Sequence, residues 1–447
     1  MSQLGNRLIG AAGLVLPTLC LIGAGAAQAQ TGTPALLGHQ APLVLDSAGA
    51  SWLGTSTALV LLMTLPGLAL FYGGMVRKKN VIATITQSVG VFAVVSLVWF
   101  IAGYSLAFGK NGSAGLQPFI GSLDMLFLNG VSLKTANALL PGIPEFLFIS
   151  FQMTFAIITP ALVTGAFAER MKYSALLLFT ALWSLLVYAP ICHWVWGGGF
   201  LGSAGVLDFA GGAVVHVNSG VAGLVCAIVL GRRKGYGIEP ILAHNPVLTM
   251  IGASLLLVGW IGFNAGSAGA ANDLMGVALL NTLLAAAAAA LTWKIVEYIE
   301  KKKVSLIGML SGVVAGLVAI TPAAGFVDPK GAVIIGLIAG PACYASSVWV
   351  KKLLRYDDSL DAFGIHGAGG LIGALLTGVF ATTAINSLSE GANVGAQALG
   401  LLWTIVYSAV GTLIILMICK FTTGLRVSEA EEAAGLDTSL HGEALEH

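Results

Sequence analysis

Two histidines stand where ionisable side chains are costly. In GGAVVHVNSGVAGLV, residues 211–225, His216 is the one side chain that titrates, and FGIHGAGGLIG, residues 363–373, repeats the arrangement around His366. At helical spacing each imidazole shares a face with glycines: Gly212, Gly220 and Gly223 in the first segment, Gly369, Gly370 and Gly373 in the second. A bulky polar ring on such a face points at another helix or into a cavity, because lipid would leave its nitrogens unsatisfied. Neutral imidazole carries one donor and one acceptor, so a pair of rings can accept hydrogen bonds from a small polar species and pass a proton along. No third His, Cys or carboxylate stands at ligand spacing beside them, so neither a metal nor a cofactor is expected. Nor is there a partnered nucleophile of the kind an enzyme needs.

Composition says what must position these rings. The chain is 57% hydrophobic and 9% charged, with a mean hydropathy of +0.91. That is too little charge to clothe a soluble surface of this size, so the lipid bilayer is its solvent. The net charge of +1 gives no reason to expect a nucleic-acid partner. Residues 1–29 carry Arg7, an apolar run and the small-residue ending Ala27 and Ala29, which reads as a cleaved signal peptide. Residues 30–50 then form a periplasmic segment, 51–421 the transmembrane domain and 422–447 a cytosolic tail. Leu19 before Cys20 argues against a lipid attachment site, and Cys192, Cys226, Cys343 and Cys419 make no extracellular disulfide framework.

Apolar runs of spanning length fall at 52–76, 81–108, 145–168, 173–192, 210–230, 246–267, 273–296, 304–325, 331–350, 362–382 and 397–420. These predict an all-α integral membrane protein of eleven transmembrane helices. With the N-terminus outside, the inner side receives Arg77, Lys78 and Lys79, Arg170 and Lys172, Arg232, Arg233 and Lys234, Lys294, Lys301, Lys302 and Lys303, Lys351, Lys352 and Arg355, and Lys420 and Arg426. The outside receives Lys110, Lys134 and Lys330. This bias sets the N-terminus out and the C-terminus in. Eleven spans divide into five plus five plus one, and an odd-numbered repeat must return upside down, as in inverted-repeat transport proteins with midplane sites. His216 lies in span five, eight residues after Asp208, and His366 in span ten, five residues after Asp361, which is taken as the counterpart of Asp208. Packing histidines bonded to backbone carbonyls are the plain alternative, and matching places in two repeats weigh against it. Spacing alone leaves the rings apart: at 1.5 Å per residue they sit roughly 12 Å and 8 Å from helix starts on opposite faces of a core about 30 Å thick.

The segments PGLALFYGGMVRKKN, HWVWGGGF, LDFAGGAVVHVNSG, GWIGFNAGSAG, DAFGIHGAGG and GLRVSEAEEAAGLDTSLHGE, in this order from about residue 50 to 444, resemble the ammonium transporters of the Amt/Mep/Rh superfamily, in its bacterial Amt branch. The resemblance implies that His216 and His366 meet as twin histidines in a narrow apolar pore. It implies an outer recruitment site for ammonium and methylammonium at Trp196, Phe155, Phe151 and Ser267, and a phenylalanine gate at Phe155 and Phe263. Asp208, which by itself reads as a helix cap, is implied to hold the recruitment site in shape and to favour a cation. Trp260 and Thr321 match pore-lining positions. A homotrimer in the bacterial inner membrane, an ordered tail packed on the inner face of neighbouring subunits, and a PII-type nitrogen-signalling partner at that face follow from the same resemblance. An ammonium sensor acting through the tail is the reading from another class, disfavoured because no output domain is recognised after residue 424.

The chemistry agrees with what the resemblance implies. Stripping water from an ion to pass an apolar pore costs on the order of tens of kcal/mol, and ammonium is nearly the size of potassium. A pore that makes the ion surrender a proton passes neutral ammonia and rejects potassium, which has no proton to lose.

Overall fold

The computed structural model describes residues 40–445, so the expected signal peptide, residues 1–29, lies outside the described residues. Ten helices among them are long and apolar enough to cross a membrane: α1 (Ser47–Met75), α2 (Lys78–Phe108), α3 (Glu145–Phe167), α4 (Tyr173–Ser203), α5 (Gly212–Leu230), α6 (Pro246–Gly266), α7 (Asp273–Lys301), α9 (Pro329–Leu354), α10 (Ala362–Phe380) and α11 (Val394–Thr422). The run expected at 304–325 forms α8 (Leu306–Ile320), a helix of 15 residues. It stops early because Pro322 has no N–H with which to continue the ladder. Most of these helices open where short polar side chains predict. Asp46, Asn245, Asn272, Ser305, Asp328 and Asn393 each accept a first-turn amide.

α5 and α10 start differently. Asp208 stands off the end of α5 and accepts from the amides of Gly211, Gly212, Ala213 and Val214 at 2.8, 2.6, 2.8 and 3.0 Å. Asp358 serves α10 in the same way, accepting from Ala362 and Phe363 at 3.0 and 2.8 Å. Both helices begin with a π-type turn, and each turn follows a residue in the left-handed region, Gly211 (φ 117°) and Asp361 (φ 60°). A shift of 150 residues therefore superposes Asp208 on Asp358 and His216 on His366. The counterpart of Asp208 is thus Asp358, not Asp361. Asp361 instead pairs with Lys351.

The two helices cross in opposite directions with almost no separation. A Cβ added to Gly220 would lie 2.3 Å from the amide nitrogen of Gly367, and one on Gly370 would lie 2.8 Å from the carbonyl oxygen of Gly212. Pairing 220 with 367 and 370 with 212 makes the crossing antiparallel and places it at the N-terminal turns of both. The helices start close to where the sequence predicts, at 212 against an expected 210 and at 362 as expected, but those starts overlap at the crossing. That overlap removes the gap that starts on opposite faces would have left between the histidines.

On the face that carries the basic loops, Glu169 is buried between Arg77 at 2.8 Å and Arg233 at 3.2 Å, and Arg233 also grips Asp357 at 2.8 Å. Burial pushes the Glu169 and Asp357 carboxyls up, but Arg233 and its basic neighbours outweigh it and hold both below the usual carboxylate range. The tail is ordered on this same chain. Arg426 donates to the carbonyls of Leu230 (2.8 Å) and Arg232 (2.7 Å) and pairs with Glu432, while Asp437 accepts from the amide of Ala83. An acidic tail ordinarily stays solvated; here Glu432, Leu436 and Asp437 are buried.

Candidate functional site

The Asp208 end of the α5–α10 crossing opens into a cavity of about 380 Å³ lined by Phe151, Gln152, Phe155, Trp196, Asp208 and Ser267, among others. The indole Nε1 of Trp196 donates to the backbone oxygen of Asp208 at 2.8 Å, so one residue both seats α5 and anchors the tryptophan. Phe155 presents its ring across the edge of Trp196 (5.9 Å, 87°) and of Phe151 (4.9 Å, 64°). Ser267 donates its hydroxyl hydrogen to the Phe263 carbonyl at 2.8 Å, which leaves the lone pairs of its oxygen to accept from a ligand. A cation resting on such aromatic faces gains about 0.5–2 kcal/mol.

Below the vestibule the path is shut. Phe155 stacks on Phe263 with centroids 4.2 Å apart and 26° between planes, and both rings are at most 1% exposed. Beneath Phe263 lies a water-sized enclosed space walled by His216, His366 and Trp260 and by aliphatic side chains such as Leu68, Ile158, Leu256 and Val314. His216 stacks against Trp260 (5.3 Å) and against His366 (5.3 Å). Thr321, expected on the wall beside Trp260, stands behind it: its hydroxyl accepts the indole N–H at 2.9 Å and donates to Leu317. It orients a lining residue without lining the space.

The Nδ1 atoms of His216 and His366 are 3.3 Å apart. Such a bond needs one Nδ1 protonated and the other bare. In neutral rings the Nε2 atoms must then be the reverse, one an acceptor and one a donor. The Nε2 of His216 is buried and has no hydrogen-bond partner among the described residues. A small neutral molecule with both lone pair and N–H suits such a pair, and an alkali cation does not.

The structure brings together most residues singled out from the sequence: Phe151, Phe155, Trp196, Asp208 and Ser267 around one cavity, and Phe263, Trp260, His216 and His366 around the next. Asp358 was missed, although its eight-residue spacing to His366 repeats that of Asp208 to His216 in the sequence. Gln152 was missed because a glutamine in an apolar run has no signature spacing.

Comparison with known proteins finds relatives over most of the chain. The model of the Ammonium Transporter Family matches residues 51–445. An ammonium transporter of Aquifex aeolicus is 48% identical over 405 residues, covering 89% of this chain and 93% of its own length. One from Bacillus subtilis is also 48% identical, over 86% of this chain and 95% of its own. The crystal structure of Mep2 from Saccharomyces cerevisiae superposes with a TM-score of 0.79 at 36% identity, covering 86% of this chain and 88% of that one. With spanning helices, ordered motifs and relatives all in agreement, this multi-pass membrane protein belongs to the ammonium transporter family.

Proposed function

We propose that this chain takes ammonium from the outer vestibule, removes a proton from it and conducts ammonia past the paired histidines into the cell. Phe151, Phe155, Trp196 and Ser267 recruit the cation, and Asp208 holds the Trp196 side of the site and supplies negative charge near it. The Phe155–Phe263 stack is the gate that excludes bulk water. The bonded imidazoles of His216 and His366 then offer the neutral molecule an acceptor and a donor in an apolar space, with Trp260 beside them. The observation that carries this reading is the 3.3 Å contact between the two Nδ1 atoms inside a closed cavity behind stacked phenylalanines.

The same reading takes the architecture as five plus five spans in inverted repeat with α11 added, α8 serving as the eleventh crossing despite its length. It places the N-terminus outside and the tail in the cytosol of a bacterium, with the protein in the inner membrane as a homotrimer. Residues 1–29 act as the leader, and residues 422–447 regulate at a face open to a PII-type protein. Labelled methylammonium uptake by cells carrying the wild type, His216→Ala or His366→Ala tests the pore. Uptake that is saturable in the wild type and altered in rate or selectivity in the variants is expected. Rate and selectivity unchanged in both variants would sink the pore-histidine mechanism.

A further inference from the structure

The Trp196 vestibule lies where α4 ends and α5 starts. A second cavity, of about 680 Å³, lies where α9 ends and α10 starts, with Arg232, Tyr236, Lys351, Lys352, Arg355 and Asp361 among its walls. Because α5 and α10 cross antiparallel at their first turns, these cavities stand at opposite ends of the crossing that joins the histidines. Ser347, on the wall of the second cavity, ties it to the pore. A Cβ on Gly364, two residues before His366, would meet the Ser347 hydroxyl, and that hydroxyl has no hydrogen-bond partner among the described residues.

The two cavities differ in charge. Aromatic rings and Asp208 wall the vestibule, with no lysine or arginine beside them. The second wall has four cations and one carboxylate, Asp361, which is taken up by Lys351. Arg232 donates its Nε to the Arg355 carbonyl at 2.9 Å. Its two Nη groups, and the side chains of Lys352 and Arg355, form no hydrogen bond or ion pair among the described residues. The aromatic ring on this wall, Tyr236, is already covered by the Arg232 guanidinium at 5.9 Å, so a second cation finds no free face of the kind Trp196 offers. Three uncompensated positive charges repel an approaching cation and leave a neutral molecule unaffected.

We infer that the second cavity is the far mouth of the same path, and that Arg232, Lys352 and Arg355 exclude ammonium from it. Nitrogen then leaves as ammonia, and ammonium is recruited at the Trp196 mouth alone. This rests on the transport reading given above. The charges do not drive net flux, since passive conduction at low concentration has the same slope from either side. They raise the concentration at which the far mouth saturates, so ammonium re-formed beyond the pore does not load it against the incoming substrate.

The test is labelled methylammonium entry into right-side-out and inside-out membrane vesicles from cells carrying the full chain, with no imposed potential or pH difference. The preparation whose tail is open to an antibody presents the far mouth, because Arg426 of the tail bonds to the Arg232 carbonyl. Its half-saturating concentration is expected to be about tenfold higher than that of the other preparation at low salt. Lys352→Glu with Arg355→Gly, the second at a left-handed position (φ 55°) that suits glycine, is expected to lower the far-mouth value about fivefold. Entry at the Trp196 mouth stays unchanged in that variant and reports that it is folded. Raising the ionic strength from about 0.01 M to about 1 M, which shortens the screening length from about 30 Å to about 3 Å, narrows the wild-type gap. Equal half-saturating concentrations at the two mouths of the wild type, or a gap that survives both the double variant and high salt, overturn this inference while entry at the Trp196 mouth leaves the transport reading standing. Saturable entry at neither mouth overturns the transport reading and this inference with it.

Discussion

Replacing Asp208 by asparagine is the sharpest perturbation the structure offers, because both carboxylate oxygens are fully used. Asp208 accepts from four amides, and an asparagine oxygen can serve two of them while its NH2 is turned against the others. Hydrogen bonds to a charged group are worth about 1.5–3 kcal/mol each, so losing two costs about 3–6 kcal/mol. Asp358 holds two amides, one on each oxygen; Asp358→Asn loses one of them, for about 1.5–3 kcal/mol. At about 2 °C per kcal/mol for a large domain, the melting temperature falls by about 6–12 °C for Asp208→Asn and about 3–6 °C for Asp358→Asn. Thermal unfolding of the purified protein followed by tryptophan fluorescence reads both. Methylammonium uptake is expected to fall more in Asp208→Asn than in Asp358→Asn, since the α5 start that it disturbs also carries the Asp208 backbone carbonyl that holds the Trp196 indole. Equal shifts in the two variants, or a shift under about one degree for Asp208→Asn, would refute the claim that these carboxylates set the helix starts that bring the histidines together.

Gly220→Ala sets a methyl 2.3 Å from the Gly367 nitrogen; forcing α5 from α10 costs about 1–3 kcal/mol, and uptake is expected to drop with the melting temperature. Thr321→Val removes the acceptor of the Trp260 indole and is expected to cost about 1–3 kcal/mol, read by thermal unfolding, with a change in transport rate if Trp260 loses its stack on His216. Glu169 and Asp357 titrate lower in the folded chain than unfolded, so the stability they add is complete above the unfolded values near about 4 and is lost as pH falls through their folded values. Protease protection of the tail is accordingly expected to hold at neutral pH and to fail in acid below about pH 4. Glu169→Gln loses that protection at neutral pH.

The spanning helices were legible because lipid demands long apolar runs, and the observed bounds of α3, α5 and α6 differ from the expected ones by a residue or two. α8 was less legible, since Thr321, Pro322 and Ala323 are apolar enough to extend a hydropathy run yet cannot extend the helix. The histidines announced themselves by type and by their glycine faces. Their contact did not, because spacing along a helix says nothing of the depth at which that helix starts. Depth is set by Asp208 and Asp358 reaching over the left-handed Gly211 and Asp361 to the amides beyond, a tertiary device with only a faint sequence trace. Phe155 and Phe263 illustrate the same limit from the other side. Phenylalanines in apolar runs ordinarily pack, and only their stacking between two cavities distinguishes these.

The central claim is that a proton is taken from ammonium before the nitrogen passes His216 and His366. It is tested most directly by the current that an ammonium pulse evokes from proteoliposomes on a solid-supported electrode, with potassium pulses and empty liposomes as references and internal pH followed in parallel. The account predicts a saturable response to ammonium, as current or as internal alkalinisation, with none to potassium, and its alteration in His216→Ala and His366→Ala. A potassium current of similar size through the wild type would mean that the intact cation crosses, and would contradict it.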